Sequence, residues 1–191
     1  MANVLDVADL LLQLAEREPE PEAVTNLRLQ KLLYYVQGWS FVYHGRPLFD
    51  EPMKAWPHGP VVERAYECFK DNKASPLSSS GTAKSGGLTL EERQLIEGVW
   101  SAYKRHSASA LREMTHREAP WLAARHGLPA DSRKSTLITD QSIRAYFTSQ
   151  REAHERDPLH ASRIARIDDA RAQIARGESM TLDELIAKGR A

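Results

Sequence analysis

The sequence predicts a mainly helical α+β fold: one compact helical domain over residues 1–150 carrying a small antiparallel sheet, and a helical extension over 151–191. Three observations carry this. Apolar residues recur at i, i+3, i+4 and i+7 in segment after segment, the spacing that stacks side chains on one helix face. Only the regions around 46–56 and 137–138 read as short extended pieces. A chain of 191 residues is long enough for one ordinary domain and an added segment.

The elements follow in order. Asn3 has the chemistry of an N-cap, and Val4, Val7, Ala8, Leu11, Leu12 and Ala15 give an amphipathic helix that stops before Pro19. An acidic loop, Glu16–Glu22, leads to a rod from about Asn26 to His44, with Thr25 as its cap. Leu29, Leu32, Leu33, Val36, Ser40 and Tyr43 share one face of it, while Leu27, Tyr34, Tyr35, Trp39, Phe41 and Val42 cover much of the rest. A helix apolar nearly all round is a buried one. Gln30, Lys31, Gln37, Gly38 and His44 leave only a narrow polar stripe, either solvated or buried with partners; Glu118 is a candidate partner for Lys31.

Gly45-Arg46-Pro47 ends the rod. Leu48-Phe49 and Met53–Trp56 read as extended, with turn chemistry at Asp50-Glu51-Pro52 between them. Pro60 suits the first position of a helix, so Pro57-His58-Gly59-Pro60 is expected to open one that continues through Val62, Ala65, Tyr66 and Phe69. Asn72–Gly87 turns to Ser, Gly, Lys and Thr and reads as a mobile surface loop. Thr89 and Glu92 have capping-box spacing ahead of Leu95, Ile96, Val99, Trp100 and Tyr103; Ser107 caps a short helix with Leu111 and Met114. Thr115 and Glu118 repeat the capping-box spacing, with Pro120 in a first helical turn. After a basic loop, Arg125–Ser135, residues 136–138 supply a third strand, and Thr139 caps a helix with Ile143, Tyr146 and Phe147 inward. Beyond Asp157-Pro158 the apolar stripe thins to Leu159, Ile164, Ile167, Ala170 and Ile174, too sparse to bury much unless a partner covers it.

Composition closes several functional classes. Lys plus Arg and Asp plus Glu are 26 each, so no global basic field draws the chain to nucleic acid or acidic membrane. No helix-turn-helix or ribbon signature supports a nucleic-acid partner either, although the Arg125–Lys134 loop is basic. Cys68 is the single cysteine and fits a reducing cytoplasm; no basic run precedes an apolar core at the N-terminus, and no run approaches a membrane span. A cytoplasmic protein is expected.

Several runs then stand in a recognisable order: Leu29-Gln30-Lys31-Leu32-Leu33-Tyr34-Tyr35, Gly38-Trp39, Pro47-Leu48-Phe49, Ala55-Trp56 and His58-Gly59-Pro60-Val61-Val62. A second block, Thr115-His116-Arg117-Glu118-Ala119-Pro120-Trp121, follows. Together they closely resemble the Panacea domain, found in SocA-type antitoxins and in phage-associated GepA-like proteins. The likeness spans about Asn3 to Phe147. It implies a non-enzymatic, prophage-associated antitoxin that neutralises a protein toxin encoded nearby, by occluding it or as an adaptor delivering it to an ATP-dependent protease such as ClpXP. The family-motif residues, structural or partner-binding, are then Gln30, Lys31, Gln37, Trp39, Trp56, His58, Gly59, Pro60, His116, Glu118, Pro120 and Trp121. The segment from Ile174 to Leu185 is also similar to partner-wrapping antitoxin tails, and Ile164, Ile167, Arg171 and Ile174 are the candidate toxin contacts there.

A different class remains to be weighed. His58, His116 and Glu118 would make a minimal metal site for a hydrolase if the fold brought them together. Against it, His116 and Glu118 diverge at i, i+2 on a helix, no His-Glu-x-x-His spacing exists, and His58 lies in a corner with an evident folding role. There is no phosphate-cradling glycine loop and no serine elbow. No catalytic, cofactor-binding or metal-binding residues are therefore assigned, and Trp39 and Trp56 are expected in the core. Elemental analysis of purified protein is expected to find no stoichiometric zinc, iron or manganese; finding one, with activity lost in chelator, contradicts the assignment.

Overall fold

The computed structural model describes residues 1–19, 22–80, 87–129, 132 and 134–155. Contacts divide the chain into Met1–Thr148 and Ser149–Ala191, and the second is described only through residue 155. The tail residues Ile164, Ile167, Arg171 and Ile174 lie outside the described residues.

Helix α1 spans Val4–Glu16, and the Asn3 carboxamide accepts the Leu5 N–H at 3.0 Å, satisfying one of the free donors of its first turn. The rod is α2, Asn26–Tyr43, capped by Thr25. It touches α1 and, in turn, α3 (Glu63–Phe69), α4 (Leu90–Tyr103), α5 (Ala108–His116) and strand β2 (Gly59–Val62). Leu29, Leu32, Leu33, Tyr34 and Val36 are fully enclosed. Tyr43, expected inward, is 62% exposed, with its ring stacked on the half-buried Trp39 one turn earlier, while Ser40 and Phe41 of the same turn are buried. Capping by Thr89 with Glu92 at α4 and by Ser107 at α5 follows the sequence reading.

Strand β1, Met53–Trp56, is central in a three-stranded antiparallel sheet, flanked by β2 and by β3, Thr136–Ile138. Here the sequence reading needs correction. Pro60 does not start a helix; it lies in β2 opposite Ala55, and α3 begins only at Glu63. The two-residue turn Pro57-His58 closes on the pair Trp56 and Gly59, so the next pair is one whose N–H groups point away from the ladder. A proline costs no ladder bond there. Gly59, at φ +104°, supplies the backbone that the turn needs. Leu48-Phe49 forms no strand; its backbone is bound by a side chain of α2 instead. Thr115 caps nothing, since it lies inside α5 and donates to the Arg112 carbonyl at 2.9 Å; Glu118 is the residue that precedes α6, Ala119–Ala124. Pro120 does occupy that helix's first turn.

The described part of the Ser-rich segment is tied down. The Leu77 N–H donates to the Val24 carbonyl, and Ser79 and Ser80 bond the carboxylates of Glu16 and Asp9. Trp39 and Trp56 are half-buried, not core, since each indole turns its N–H toward a polar partner: Tyr103 Oη and Ser135 Oγ respectively.

Helix α7, Asp140–Glu155, brings Ile143 and Phe147 inward. The Phe147 ring meets Tyr34, Tyr35, Trp39 and Tyr146 edge-on and lies where a side chain at Gly38 would be. A Cβ on Gly38 would come within 2.2 Å of that ring. This explains a glycine in mid-helix, where it otherwise costs roughly 0.5–1 kcal/mol. Gly38→Ala is expected to destabilise the protein by about 1–3 kcal/mol through overpacking, despite alanine's better helix propensity. A melting temperature unchanged or raised in that variant would show that α7 yields freely.

Candidate functional site

Within the polar stripe of α2, Gln30, Lys31 and Gln37 are buried and each is hydrogen-bonded, whereas His44, just past the helix end, is half-buried. Gln30 accepts the Val62 N–H at 2.9 Å and donates to Asn26 Oδ1, which in turn leaves Asn26 to donate to the Tyr66 carbonyl. Gln37 accepts the N–H groups of Leu48 and Phe49 at 2.9 and 3.3 Å and donates to the Phe49 carbonyl at 3.0 Å. Gln30 thus satisfies an N–H on the outer side of edge strand β2, and Gln37 supplies the partners that the irregular Leu48-Phe49 segment lacks, as buried backbone requires. Lys31 Nζ donates to the Pro60 carbonyl at 2.8 Å, so its partner is the sheet and not Glu118. Burial, with Arg112 nearby adding to it, holds the Lys31 ammonium down at about 7. A Cβ on Gly59 would stand 2.7 Å from Lys31 Nζ, so this glycine also makes room for the lysine.

Arg28 was not singled out by the sequence reading and is among the largest buried side chains. Its guanidinium donates to the carbonyls of His106 (3.0 Å), Lys104 (2.6 Å) and Glu22, and sits over the Trp100 ring. The only hint in the sequence was a single arginine on a rod with almost no solvent face. Arg125, read as part of a basic loop, is likewise turned inward, donating to the carbonyls of Ala55, Pro129 and Ser132.

Where α5 meets α6, Glu118 points into the core and accepts the Tyr35 hydroxyl at 2.9 Å. The Tyr34 hydroxyl faces the same carboxyl but lies outside hydrogen-bond geometry, and Glu118 Oε2 has no partner among the described residues. Burial raises the Glu118 pKa to about 7, against the lowering effect of the two tyrosines. The same desolvation, with the carboxyl close by, raises the phenols of Tyr34 and Tyr35.

His116, two residues earlier, turns elsewhere and stacks on the Trp121 ring with 4.0 Å between centroids and planes 8° apart. Trp121 Nε1 donates to the Trp56 carbonyl, which ties α6 to the sheet. His58 is exposed in the β1–β2 turn. The hydrolase arrangement of His58, His116 and Glu118 is therefore not assembled: the carboxyl is committed to Tyr35 and the imidazole to an indole face. Among the described residues no three His, Cys, Asp or Glu side chains converge as metal ligands.

The comparisons bear on this region directly. The model of the family described as antitoxin SocA-like, Panacea domain, matches residues 29–122, from the start of the polar stripe to α6. The chain is also 32% identical over 156 residues to Antitoxin SocA of Caulobacter vibrioides (strain NA1000 / CB15N), covering 76% of this chain and 82% of that protein. The chain belongs to the SocA-like antitoxin family. No solved structure matches it. No helix among the described residues is long and apolar enough to cross a membrane. Within this SocA-like domain, Gln30 and Lys31 meet β2 with Gly59 and Pro60 at the seam between α2 and the sheet, and Gln37 lies farther along α2 on the Leu48-Phe49 segment. Glu118, Pro120, His116 and Trp121 form the α5–α6 junction, and Trp39 stands apart beside Tyr103 and Phe147.

A carboxyl whose folded pKa of about 7 exceeds its ordinary 4.5 favours the folded state in its protonated form. That contribution is complete below 4.5 and is lost as pH rises through about 7, a change on the order of 3 kcal/mol. His116, pushed down to about 4, works in the opposite sense, costing stability as pH falls below 6.5. Comparing wild type with Glu118→Gln isolates the carboxyl. Relative to wild type, the amide variant is expected to gain about 3 kcal/mol between roughly pH 4.5 and 8, measured by denaturant unfolding. Parallel pH profiles for the two proteins would mean Glu118 stays ionised in the core.

Proposed function

We propose that this protein is an antitoxin that neutralises a toxin encoded beside it by direct binding and without catalysis. The observation that carries this is its kinship to Antitoxin SocA over 82% of that protein's length. The chemistry of the interior agrees with a scaffold. Lys31, Gln30, Gln37, Arg28 and Arg125 are spent on backbone groups, leaving no arranged nucleophile and base among the described residues.

Two mechanisms fit: occlusion of the toxin, or presentation of the toxin to an ATP-dependent protease such as ClpXP. Toxin half-life separates them. An adaptor shortens it only in cells with the protease, whereas an occluding antitoxin leaves it unchanged or longer. The segment from about residue 157 is proposed to take part in the contact, with Ile164, Ile167 and Ile174 as apolar anchors and Arg171 among the charges that set specificity.

Co-expression with the neighbouring toxin gene tests the proposal. Wild type is expected to restore growth and to co-purify with the toxin. In the full-length chain, Ile164→Asp with Ile167→Asp is expected to weaken binding by about tenfold or more with an unchanged melting temperature. Full neutralisation by that double variant would place the interface on residues 1–150. Failure of wild type to neutralise would refute the antitoxin reading itself.

A further inference from the structure

The sheet has two edges, and the fold treats them differently. At the β2 edge, Gln30 and Lys31 of α2 take the Val62 N–H and the Pro60 carbonyl, so the outward backbone groups there are closed. At the β3 edge the outward groups follow from the register. Val62 turns its N–H away from β1, so the pair Met53 and Val62 shares no ladder bond and Met53 turns its backbone toward β3. The pairs Met53 with Ile138 and Ala55 with Thr136 are then the bonded ones, and alternation turns the Leu137 N–H and carbonyl outward. Ser135 continues the register opposite Trp56, whose indole donates to its hydroxyl. Its carbonyl and the Thr139 N–H therefore point outward with those of Leu137. None of these four groups has a hydrogen-bond partner among the described residues. Such an open row is a template for another strand. The Leu137 side chain is 56% exposed, and Ser135 and Thr139 are exposed with it. Lys134 stands just before this edge and Asp140 just after it, both exposed and neither in an ion pair among the described residues.

We infer that β3 pairs antiparallel with β3 of a second copy of this chain, Leu137 facing the partner's Leu137 across a two-fold axis, so that two three-stranded sheets join into one. The sequence about this centre is self-complementary, as a two-fold contact requires. With Leu137 on the axis, Lys134 falls opposite the partner's Asp140, and Asp140 opposite the partner's Lys134. Ser135 falls opposite the partner's Thr139, so each Thr139 N–H meets a Ser135 carbonyl while the two leucines exchange their N–H and carbonyl groups. All four open groups of each edge are thereby used. Shifting the register by two residues puts Lys134 opposite Ile138 or Ser142 and leaves no charge pair. This complementarity of charge and backbone, beyond the open edge itself, selects a copy of the chain as the occupant. On the outer face Lys54, the neighbour of Leu137 on β1, is drawn off to Glu63, which leaves the two leucines to cover each other. The strand is short, so the association is weak, with a dissociation constant of about 0.1–1 mM. The inference does not depend on the antitoxin reading.

Sedimentation velocity of the full-length protein, from about 10 μM to about 1 mM, tests this. Wild type is expected to pass from monomer toward dimer across that range. Leu137→Asp sets two like charges face to face and is expected to weaken the dimer about tenfold or more, with the melting temperature of dilute protein unchanged. Lys134→Asp and Asp140→Lys are each expected to weaken it about threefold or more, and the two together in one chain to restore it, since the exchanged charges still face each other. Asp140→Lys also opposes the dipole at the start of α7, so the readout is the dissociation constant and not stability. In hydrogen exchange, the Leu137 and Thr139 amides are expected to slow as concentration rises. A monomer throughout the range overturns the inference. So does a dimer that Leu137→Asp leaves intact, or a pair of charge variants that the double variant fails to rescue. Protection of the two amides already complete in dilute protein would mean that the chain's own residues cover the edge. Protection only on adding the neighbouring toxin would make the toxin the occupant. Either result overturns the inference and leaves the antitoxin reading standing.

Discussion

The structure depends on one constraint: α2 must be enclosed on nearly every side while it carries Asn26, Arg28, Gln30, Lys31 and Gln37. Enclosing a polar group without a partner costs more than a typical hydrogen bond returns, so each of these side chains dictates what lies beside it. Gln30 and Lys31 fix β2 through Val62 and Pro60; Gln37 fixes the Leu48-Phe49 segment; Arg28 gathers two carbonyls after α4 and that of Glu22 before α2. The sheet is small and its strands are short, and its position comes from these bonds as much as from its own ladder. An apolar rod alone would accept neighbours in many registers. A rod with amides and a lysine at set positions accepts one.

This constraint also marks the limit of what the sequence could show. Helices α1, α2, α4 and α5 and their caps were legible, because periodicity and capping are local and each has a direct physical cause in a few neighbouring residues. Strand β3 was legible for the same reason. Pro60 was misread because its preference for a first helical turn is real but weak against a hairpin that leaves its missing N–H unneeded and an α2 side chain that claims its carbonyl. Thr115 and Glu118 had the spacing of a capping box, but Glu118 finds the Tyr35 hydroxyl across more than eighty residues of chain, a partner no local pattern reveals. Trp39 and Trp56 were placed too deep because an apolar neighbourhood in sequence says nothing about where the indole N–H must go.

The same reasoning separates the two halves of the α5–α6 block. Glu118 is turned toward Tyr35 and, raised to about 7, is balanced between forms near neutrality; His116 is turned to the Trp121 indole, and burial holds it down at about 4. Residues two apart diverge even on one continuous helix, and here a break lies between them as well. The chain leaves α5 at His116 and enters α6 at Ala119, so residues two apart face different surroundings. A metal site built from this pair needs both on one side. Neither the i, i+2 spacing nor the break before Pro120 provides that.

The residues that make the family resemblance recognisable are for the most part interior. Gln30, Lys31, Gln37, Gly59, Pro60, Glu118 and Pro120 are buried, and their evident work is to hold α2, the sheet and the α5–α6 junction together. Losing one such polar contact leaves its partner stranded at a cost of about 1–3 kcal/mol, a large part of a domain's net stability. A substitution on the outer face typically stays within about 0.5 kcal/mol. The two costs divide the chain's freedom: the interior is held to its residue types by folding, whereas the surface can change without unfolding the domain.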